Sequence, residues 1–286
     1  MKPKLLILII LLVISFNSRA QSLSPERVKH IKESTVRITI EGSNSIGTGF
    51  FISPEGTLLT CWHVIEPAIL RDAVSNNIIG ARKMFVILSN GEKLQFDIPN
   101  VVLKAYNNAI SYDFCFLIPI KQHLPFPYLK LGNFNNVKEG QEIYTCGYPL
   151  AIEQQFVTKG ILSTKYIDTA NSIKTGTATT KMPRNQALLD LTMNKGNSGG
   201  AVIAVGKNIE DDEVIGVADF IINPIGGNAQ ALAKILKDNS GGVFISGVDT
   251  NLLFSNIIEV LNSTSVGISG CVSINHAIEG LELITH

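Results

Sequence analysis

A glycine-rich heptapeptide around Ser198 is the segment of this chain best suited to chemistry. It spans residues 194–200 and reads Asn-Lys-Gly-Asn-Ser-Gly-Gly. Glycines on both sides of a serine permit a tight turn that exposes the hydroxyl group and lets a substrate approach closely. The backbone N–H groups of Gly196 and Ser198 would then form an oxyanion hole. The pattern predicts a serine nucleophile, with an ordinary Gly/Ser/Asn hairpin turn as the alternative.

A nucleophilic serine needs a general base, and His63 is the best candidate among the five histidines. It lies in Thr-Cys-Trp-His-Val, at the end of a predicted strand that follows residues 47–52 by a short turn. A rigid element of this kind can hold an imidazole within hydrogen-bond reach of the serine. Three other histidines lie in polar or terminal contexts without a partner: His30, His123 and His286.

The third group required is a carboxylate that orients the imidazole and stabilises the imidazolium. Asp113 precedes the apolar run Phe-Cys-Phe-Leu-Ile, and a carboxylate at the mouth of a buried strand is costly unless it is paired. Asp72 lies in a polar stretch, and Asp97 alternates with apolar residues and therefore faces solvent. Asp113 is the preferred candidate, with a strand-initiating turn residue as its alternative interpretation.

Two rival interpretations use the same residues. The segment around Ser198 also matches G-x-S-x-G, the nucleophile elbow of α/β-hydrolases, for which Asp249 and His276 would complete a triad. That fold needs a helix directly after the serine, whereas Ala-Val-Ile-Ala-Val follows here and predicts a strand. The non-enzyme rival is a catalytically silent, protease-like binding module, which would normally show a damaged triad.

In these motifs the chain resembles the trypsin-like (chymotrypsin-fold) serine peptidases, and within them the HtrA-type, DegP-like branch. The order His63, Asp113, Ser198 matches the order of the family's triad. The matching segments fall within residues 35–223 and 269–282; they are GTGFFIS, LLTCWHV, YDFCFLIP, CGYPL, GILST, LDLTMNKGNSGGAVI, VIGV and CVSINHAIEGL. The resemblance implies an HtrA-like serine endopeptidase domain, here without a PDZ domain.

The resemblance also implies a primary specificity pocket. It assigns to the pocket Thr192, Met193 and the strand segment Gly216, Val217 and Ala218. None of these is an acid, so cleavage after Lys or Arg is not expected. We expect cleavage after small or medium apolar residues in unfolded or flexible proteins, with loose selectivity because one methylene is worth only ~1–3 kcal/mol.

The elements that would hold these residues are mostly short strands separated by Gly, Asn and Pro turns. Such strands are typical of sandwiches or barrels. With the resemblance, they predict an all-β fold of two packed six-stranded antiparallel barrels. Residues 21–123 would form the barrel carrying His63 and Asp113, and residues 124–286 the barrel carrying Ser198. Residues 224–268, with two stretches of helical spacing, are interpreted as a partly helical insertion.

The first twenty residues predict export. Two lysines precede an apolar run over residues 5–16, and a small-x-small pattern ends at Ala20, the layout of a secretory signal peptide. We therefore expect a periplasmic or extracellular protein with no stable membrane insertion after signal removal. A retained signal anchor is the alternative.

Composition narrows the partners. Acidic and basic side chains number 24 each, so the chain lacks the basic excess that is typical of nucleic-acid-binding proteins. We expect a protein or peptide substrate and no metal or organic cofactor. The four cysteines, which have no CxxC spacing, could be disulfide-bonded or buried thiols.

Overall fold

The computed structural model covers most of the chain after the predicted signal peptide. It describes residues 23–75, 77–104, 112–121, 125–169, 172–175, 178–181, 183–221, 228–263 and 267–285. The predicted signal peptide, residues 1–20, lies outside these ranges. Within them, none of the helices combines the length and the apolar character that crossing a membrane requires.

The first half of the chain folds into a closed barrel. Its six antiparallel strands follow the order β1-β2-β3-β8-β7-β6 around the barrel. They are β1 (Thr35–Ile40), β2 (Ile46–Phe51), β3 (Leu58–Thr60), β6 (Met84–Ile87), β7 (Lys93–Asp97) and β8 (Cys115–Pro119). In β1, Val36, Ile38 and Ile40 are buried whereas Arg37 and Thr39 are partly exposed, as the alternating sequence predicts.

The second half folds into another closed six-stranded barrel, with the order β10-β13-β18-β15-β14-β9. Its strands are β9 (Glu142–Gly147), β10 (Phe156–Asp168), β13 (Arg184–Asp190), β14 (Ala201–Ala204), β15 (Glu213–Ile221) and β18 (Ile268–Ser273). The predicted fold of two six-stranded antiparallel barrels is therefore confirmed.

The remaining strands form small two-stranded sheets outside the barrels. They are β4 (Ile69–Arg71) with β5 (Ile78–Ala81), β11 (Ser172–Thr175) with β12 (Ala178–Lys181), and β16 (Phe244–Ile245) with β17 (Val248–Asp249). The described helices are α1 (Pro25–Ser34), α2 (Trp62–Ile65), α3 (Asn100–Lys104), α4 (Asn228–Asp238), α5 (Thr250–Ser263) and α6 (Ile274–Thr285). The segment interpreted as an insertion thus contains α4, α5 and the β16–β17 hairpin.

Helix α1 ties the start of the first barrel to the second. Ser24 caps its first turn by accepting a hydrogen bond from the Arg27 backbone N–H. The buried Arg27 side chain lies 2.8 Å (Nε to Oδ2) from Asp212, which precedes β15. The same guanidinium donates to the Gly206 carbonyl at 3.1 Å. Because β1 follows α1 directly, this contact fixes the position of the first barrel against the second.

Aromatic packing joins the connector between the barrels to the core of the first barrel. Phe51 is fully buried, and its ring stacks on Phe126 with centroids 4.4 Å apart. Phe126 lies between β8 and β9, next to Pro125 and Pro127, and its backbone N–H donates to the Pro54 carbonyl. Phe96 of β7 completes the cluster, 6.2 Å from Phe51.

All four cysteines lie in the described part of the chain, and each is a buried free thiol: Cys61, Cys115, Cys146 and Cys271. The sequence leaves open whether the cysteines form disulfide bonds or are buried thiols, and in the structure they are buried thiols. Burial raises the pKa of all four, so these thiols stay protonated at neutral pH.

Replacing Phe51 by Ala should lower the free energy of unfolding by about 3–5 kcal/mol, because a stacked, fully buried ring is lost and a cavity remains. The control is Phe156→Ala in β10, whose side chain is 47% exposed. It should cost under about 1 kcal/mol. Urea unfolding of both variants measures the difference, and equal losses would contradict the packing described for Phe51.

Candidate active site

His63 is presented by the single helical turn α2. The sequence predicts a strand end here; instead β3 stops at Thr60, and Cys61 leads into the helix. Trp62, Val64 and Ile65 are buried, so three sides of the turn are anchored in the core. The His63 side chain, by contrast, is 43% exposed. The turn therefore fixes the backbone of His63 while leaving its imidazole accessible.

Asp113 holds His63 through two hydrogen bonds. Its Oδ2 lies 2.6 Å from His63 Nδ1, and its Oδ1 accepts the His63 backbone N–H at 2.9 Å. Asp113 precedes β8 and has a φ of 54°, a left-handed conformation that Asp tolerates better than most residues. The two contacts orient the imidazole relative to its own main chain, which leaves Nε2 facing outward.

A second carboxyl group, Asp219, lies beside this pair and was missed by the sequence analysis. Its Oδ1 is 3.9 Å from His63 Nδ1, and its Oδ2 is 3.4 Å from Arg184 Nη1. The Asp219 side chain is only 9% exposed and shares a hydrogen bond with Asp113. Like Asp113, Asp219 adjoins an apolar strand run, Val-Ile-Gly-Val-Ala, where a carboxylate is costly unless it is paired, and this is the signal in the sequence that indicates it.

The three ionisable groups shift one another's pKa. Burial alone would lower the pKa of His63, but the hydrogen bond and charge of Asp113 outweigh burial and leave it raised. Burial would raise the pKa of Asp113, yet the hydrogen bonds with His63 and Asp219 bring it below its usual value. Burial, with the hydrogen bond to Asp113, raises the pKa of Asp219 to about 7. Asp113 is therefore the ionised carboxylate at neutral pH.

The loop that carries Ser198 depends on two glycines in left-handed conformations. Gly196 and Gly199 have φ values of 101° and 85°. A Cβ on Gly196 would lie 2.2 Å from the Tyr148 carbonyl oxygen, and one on Gly199 would lie 2.2 Å from the Thr48 carbonyl oxygen. No other residue fits either position without displacing backbone.

The N–H groups of this loop divide into bonded and available donors. Asn197 N–H donates to the Asn194 carbonyl, and Gly199 N–H donates to the Ala218 carbonyl. Among the described residues, the backbone N–H groups of Gly196 and Ser198 have no acceptor. These are the two donors that the sequence predicts for an oxyanion hole.

Thr48, on β2 of the first barrel, holds the Ser198 loop of the second. Its backbone N–H donates to the Ser198 carbonyl at 3.0 Å, and its hydroxyl donates to the Gly196 carbonyl at 2.6 Å. The same hydroxyl accepts the Tyr148 N–H at 3.2 Å. In this described region no hydrogen bond joins the His63 ring to the Ser198 hydroxyl, a contact that often tightens only when substrate binds.

A cavity of about 190 Å³ opens beside Ser198. It is lined by Met193, Asn194, Lys195, Asn197, Ser198, Ala218, Asp219 and Phe220. Of the residues that the resemblance assigns to the pocket, Met193 and Ala218 line this cavity, whereas Thr192 and Val217 are not among the lining residues. Gly216 packs inside the barrel, since a Cβ there would lie 2.7 Å from Cys271 Sγ. The pocket also contains an acid, Asp219, whereas the sequence predicted none.

The other residues considered from sequence lie in unrelated contacts. Asp72 accepts hydrogen bonds within its own turn, from Val74 and Ser75, and Asp97 accepts the N–H of its neighbour Ile98. His276 accepts the Asn185 N–H and stacks on Tyr112. Asp249 accepts the Leu252 N–H in the β17–α5 segment. The structure brings none of these four into contact with Ser198.

Four potential metal ligands come together at this site. The ligand atoms of Cys61, His63, Asp113 and Asp219 lie within 4.8 Å of one another. Hydrogen bonds account for this proximity: the Cys61 thiol donates to the Ala218 carbonyl at 3.2 Å, the two carboxyl groups are bonded to each other, and Asp113 is bonded to the imidazole. Burial, aided by the charges of Asp113 and Asp219, raises the pKa of Cys61 well above its usual value, which disfavours the thiolate that binds metals.

A family profile described as the trypsin-like peptidase domain matches residues 47–217. That range begins just before Thr48 and ends just before Ala218 and Asp219.

Curated relatives include two proteins named "Probable periplasmic serine endoprotease DegP-like". The protein from Rickettsia conorii is 28% identical over 187 residues, covering 64% of this chain and 30% of the relative. The protein from Pseudomonas savastanoi pv. phaseolicola is 30% identical over 185 residues, covering 65% of this chain and 31% of the relative. The chain thus matches about a third of the length of these relatives.

A solved structure described as the HtrA-type protease AlgW with a tripeptide has a similar fold. It superimposes with a TM-score of 0.55 at 20% identity, covering 90% of this chain and 62% of that one. At this identity the likeness concerns the fold.

Replacing Asp113 by Asn should lower the pKa of His63, because a charged partner that stabilises the imidazolium is removed. Titration of the His63 ring protons by NMR measures the shift. Asp97→Asn, which changes an exposed carboxylate outside the site, is the control and should leave the titration unchanged.

Asp113→Asn should also change how the free energy of unfolding depends on pH. The raised pKa of His63 contributes stability that is fully present below the pKa of an unfolded histidine, about 6.5, and is lost as pH rises through the pKa of the folded state. Asp113→Asn should flatten this part of the stability curve. An unchanged His63 titration in Asp113→Asn would contradict the contact.

Proposed function

The chain belongs to the trypsin-like peptidase family, and from this premise we propose that it is an exported serine endopeptidase. The catalytic residues proposed are His63, Asp113 and Ser198. The observation that carries the proposal is the double hydrogen bond from Asp113 to the ring and main chain of His63, at 2.6 and 2.9 Å. An imidazole held in this way has its remaining nitrogen free to act as a base.

In the proposed reaction Ser198 attacks the carbonyl carbon of the scissile peptide bond. His63 Nε2 takes the hydroxyl proton, and Asp113 stabilises the imidazolium without itself becoming protonated. The imidazolium then gives its proton to the leaving amine, so the peptide bond breaks and an acyl-enzyme remains. Water, activated by the same imidazole, hydrolyses the ester and regenerates Ser198.

The oxyanion formed in each half-reaction would be bound by the N–H groups of Gly196 and Ser198. Both donors are without an acceptor in the described residues, and the neighbouring N–H groups are already bonded. Donors that are held in place before the reaction stabilise developing charge at no cost of reorganisation. The hydrogen bond from the Thr48 hydroxyl to the Gly196 carbonyl supports this alignment, because it fixes the peptide group between Gly196 and Asn197, which lies between the two donors.

We propose that substrates are cleaved after small or medium apolar residues. The cavity beside Ser198 holds about 190 Å³, and Met193, Ala218 and Phe220 give it apolar walls. Asp219 also lines it, but its carboxyl group is bonded to Asp113 and faces Arg184, so it is not available to a substrate Lys or Arg. The tripeptide in the AlgW structure supports a peptide as the class of substrate.

Export to the periplasm or the extracellular space belongs to the same proposal. It rests on the predicted signal peptide over residues 1–20 and on the relatives whose names describe them as periplasmic. The chemistry proposed requires no metal ion or organic cofactor.

Replacing Ser198 by Ala should abolish labelling by a fluorophosphonate probe and reduce turnover of an unfolded protein by ~10⁶-fold, because the nucleophile is lost. Asp113→Asn should reduce turnover by ~10⁴-fold through the wrong imidazole tautomer. The control is Ser163→Ala, an exposed serine in β10, which should be labelled like the wild type. A folded wild-type protein that is never labelled would favour the alternative function, a catalytically silent trypsin-like binding module.

A series of peptides that differ only in the residue before the scissile bond tests the specificity. Ala, Val and Leu should give the highest kcat/KM, within about tenfold to a hundredfold of one another. Arg should be cleaved poorly because no free carboxylate faces it. A preference for Arg would contradict the proposal that the Asp219 carboxyl group is not available to substrate. A preference for Glu would indicate that Lys195, which also lines the cavity, binds the substrate side chain.

A further inference from the structure

Asp219 reaches the proposed active site because strand β15 is irregular there. The pairing of β15 with β18 shifts register between Ala218 and Phe220, so Asp219 is the residue at the β-bulge. Bulges re-aim a side chain and are common next to active sites. Here the bulge directs a carboxyl group towards Asp113 and His63, which belong to the other barrel.

Two carboxyl groups in hydrogen-bond contact can be stable only if they share a proton. Asp113 accepts two N–H groups from His63, which favour its charged form. Asp219 faces Arg184 at 3.4 Å but has no N–H donor of comparable closeness among the described residues. The proton of the pair therefore resides on Asp219, which then acts as the donor and Asp113 as the acceptor.

We propose that Asp219 is a positioning residue: its neutral carboxyl group donates a hydrogen bond to Asp113 and holds that carboxylate in the orientation that directs His63. The inference rests on the proposed function, since it concerns the same imidazole. Asp219 would be a fourth side chain beside the proposed triad. It comes from the second barrel, whereas His63 and Asp113 both belong to the first.

Ionisation of Asp219 would change the base that it helps to orient. Loss of its proton removes the hydrogen bond to Asp113 and adds a negative charge 3.9 Å from His63 Nδ1. That charge raises the pKa of His63, so more alkaline conditions are needed to free the base. Because burial and Asp113 raise the pKa of Asp219 to about 7, the effect falls in the neutral range.

Other titratable or charged groups face this cluster. From the first barrel they are Cys61 and Glu66, beside Asp113 and His63 themselves. From the second barrel they are Arg184, Asp168, Tyr166 and Cys271. The three hydroxyl and thiol groups have raised pKa values and stay neutral below about pH 9. The proposed pH effect therefore rests on Asp219, whose pKa is raised to about 7, and on His63, whose pKa is raised by Asp113 and Asp219.

The test is the pH dependence of kcat and kcat/KM in wild type, Asp219→Asn and Asp219→Leu. The Asn side chain still donates a hydrogen bond to Asp113 but cannot ionise. This variant should keep kcat within about threefold of wild type, and the acidic limb of its profile should move to lower pH. Leu has a similar size and no donor. It should lose about tenfold to a hundredfold in kcat with little change in KM, because Asp113 is no longer held.

The control is Asp168→Asn, which removes a carboxylate 3.9 Å from Arg184 that does not contact Asp113. Its pH profile should match wild type. A merely structural role for Asp219 would lower the stability of both Asp219 variants and leave the acidic limb unmoved. An Asn variant as impaired as the Leu variant, or wild-type profiles in both, would overturn the proposal.

Two further measurements separate this proposal from the proposed function. Fluorophosphonate labelling lost only in Ser198→Ala shows that the serine chemistry holds whatever Asp219 does. The pKa of His63 from NMR requires no turnover, and in Asp219→Asn it should lie below the wild-type value. If the Leu variant does not fold, this titration decides alone, and equal values in wild type and Asp219→Asn would overturn the role assigned to Asp219.

Discussion

The geometry of the site depends on the contact between Thr48 and the Ser198 loop. His63 and Asp113 belong to the first barrel and Ser198 to the second, so no single barrel contains the proposed triad. Thr48 donates its N–H to the Ser198 carbonyl and its hydroxyl to the Gly196 carbonyl. Its own carbonyl accepts the Thr60 hydroxyl at 2.7 Å, three residues before His63. One threonine thus links the strand before the base to the loop of the nucleophile.

This link matters because proton transfer requires heavy atoms within about 3 Å. Two rigid bodies that met only through apolar surfaces could slide by a fraction of that distance without losing much stability. Directional hydrogen bonds between main-chain groups restrict such sliding, and the glycines of the loop bring the two backbones close enough to form them. The Arg27–Asp212 ion pair is a further directional contact, between α1 and the second barrel.

The sequence predicts features that follow from local pattern. Alternation in Val36 to Ile40 gives β1, and the glycines around Ser198 give its loop, since each depends only on neighbouring residues. The sequence predicts the end of a strand at His63, where the structure has a helical turn. Trp62, Val64 and Ile65 are compatible with either element, and tertiary packing decides between them. Asp219 follows an apolar run, which indicates an acid that needs a partner. Its partner Asp113 lies 106 positions earlier in the chain and the orientation of Asp219 depends on a β-bulge, so its role does not follow from the sequence alone.

Charge balance explains how a buried site accommodates two acids beside one imidazole. With Asp113 ionised, Asp219 and His63 neutral and Arg184 positive, the four groups carry no net charge. They also carry none when the proton of Asp219 is gone and His63 is protonated. The cluster is therefore neutral with the proton at either place, which is the condition for charges to persist in a weakly polar cleft. When His63 takes the proton of Ser198, Asp219 keeps its own proton, and the positive charge of the imidazolium is balanced by Asp113, to which His63 Nδ1 is bonded at 2.6 Å, and by the oxyanion that forms at the substrate. The four groups and the oxyanion together again carry no net charge, so the proton transfer creates no unbalanced charge in the cleft.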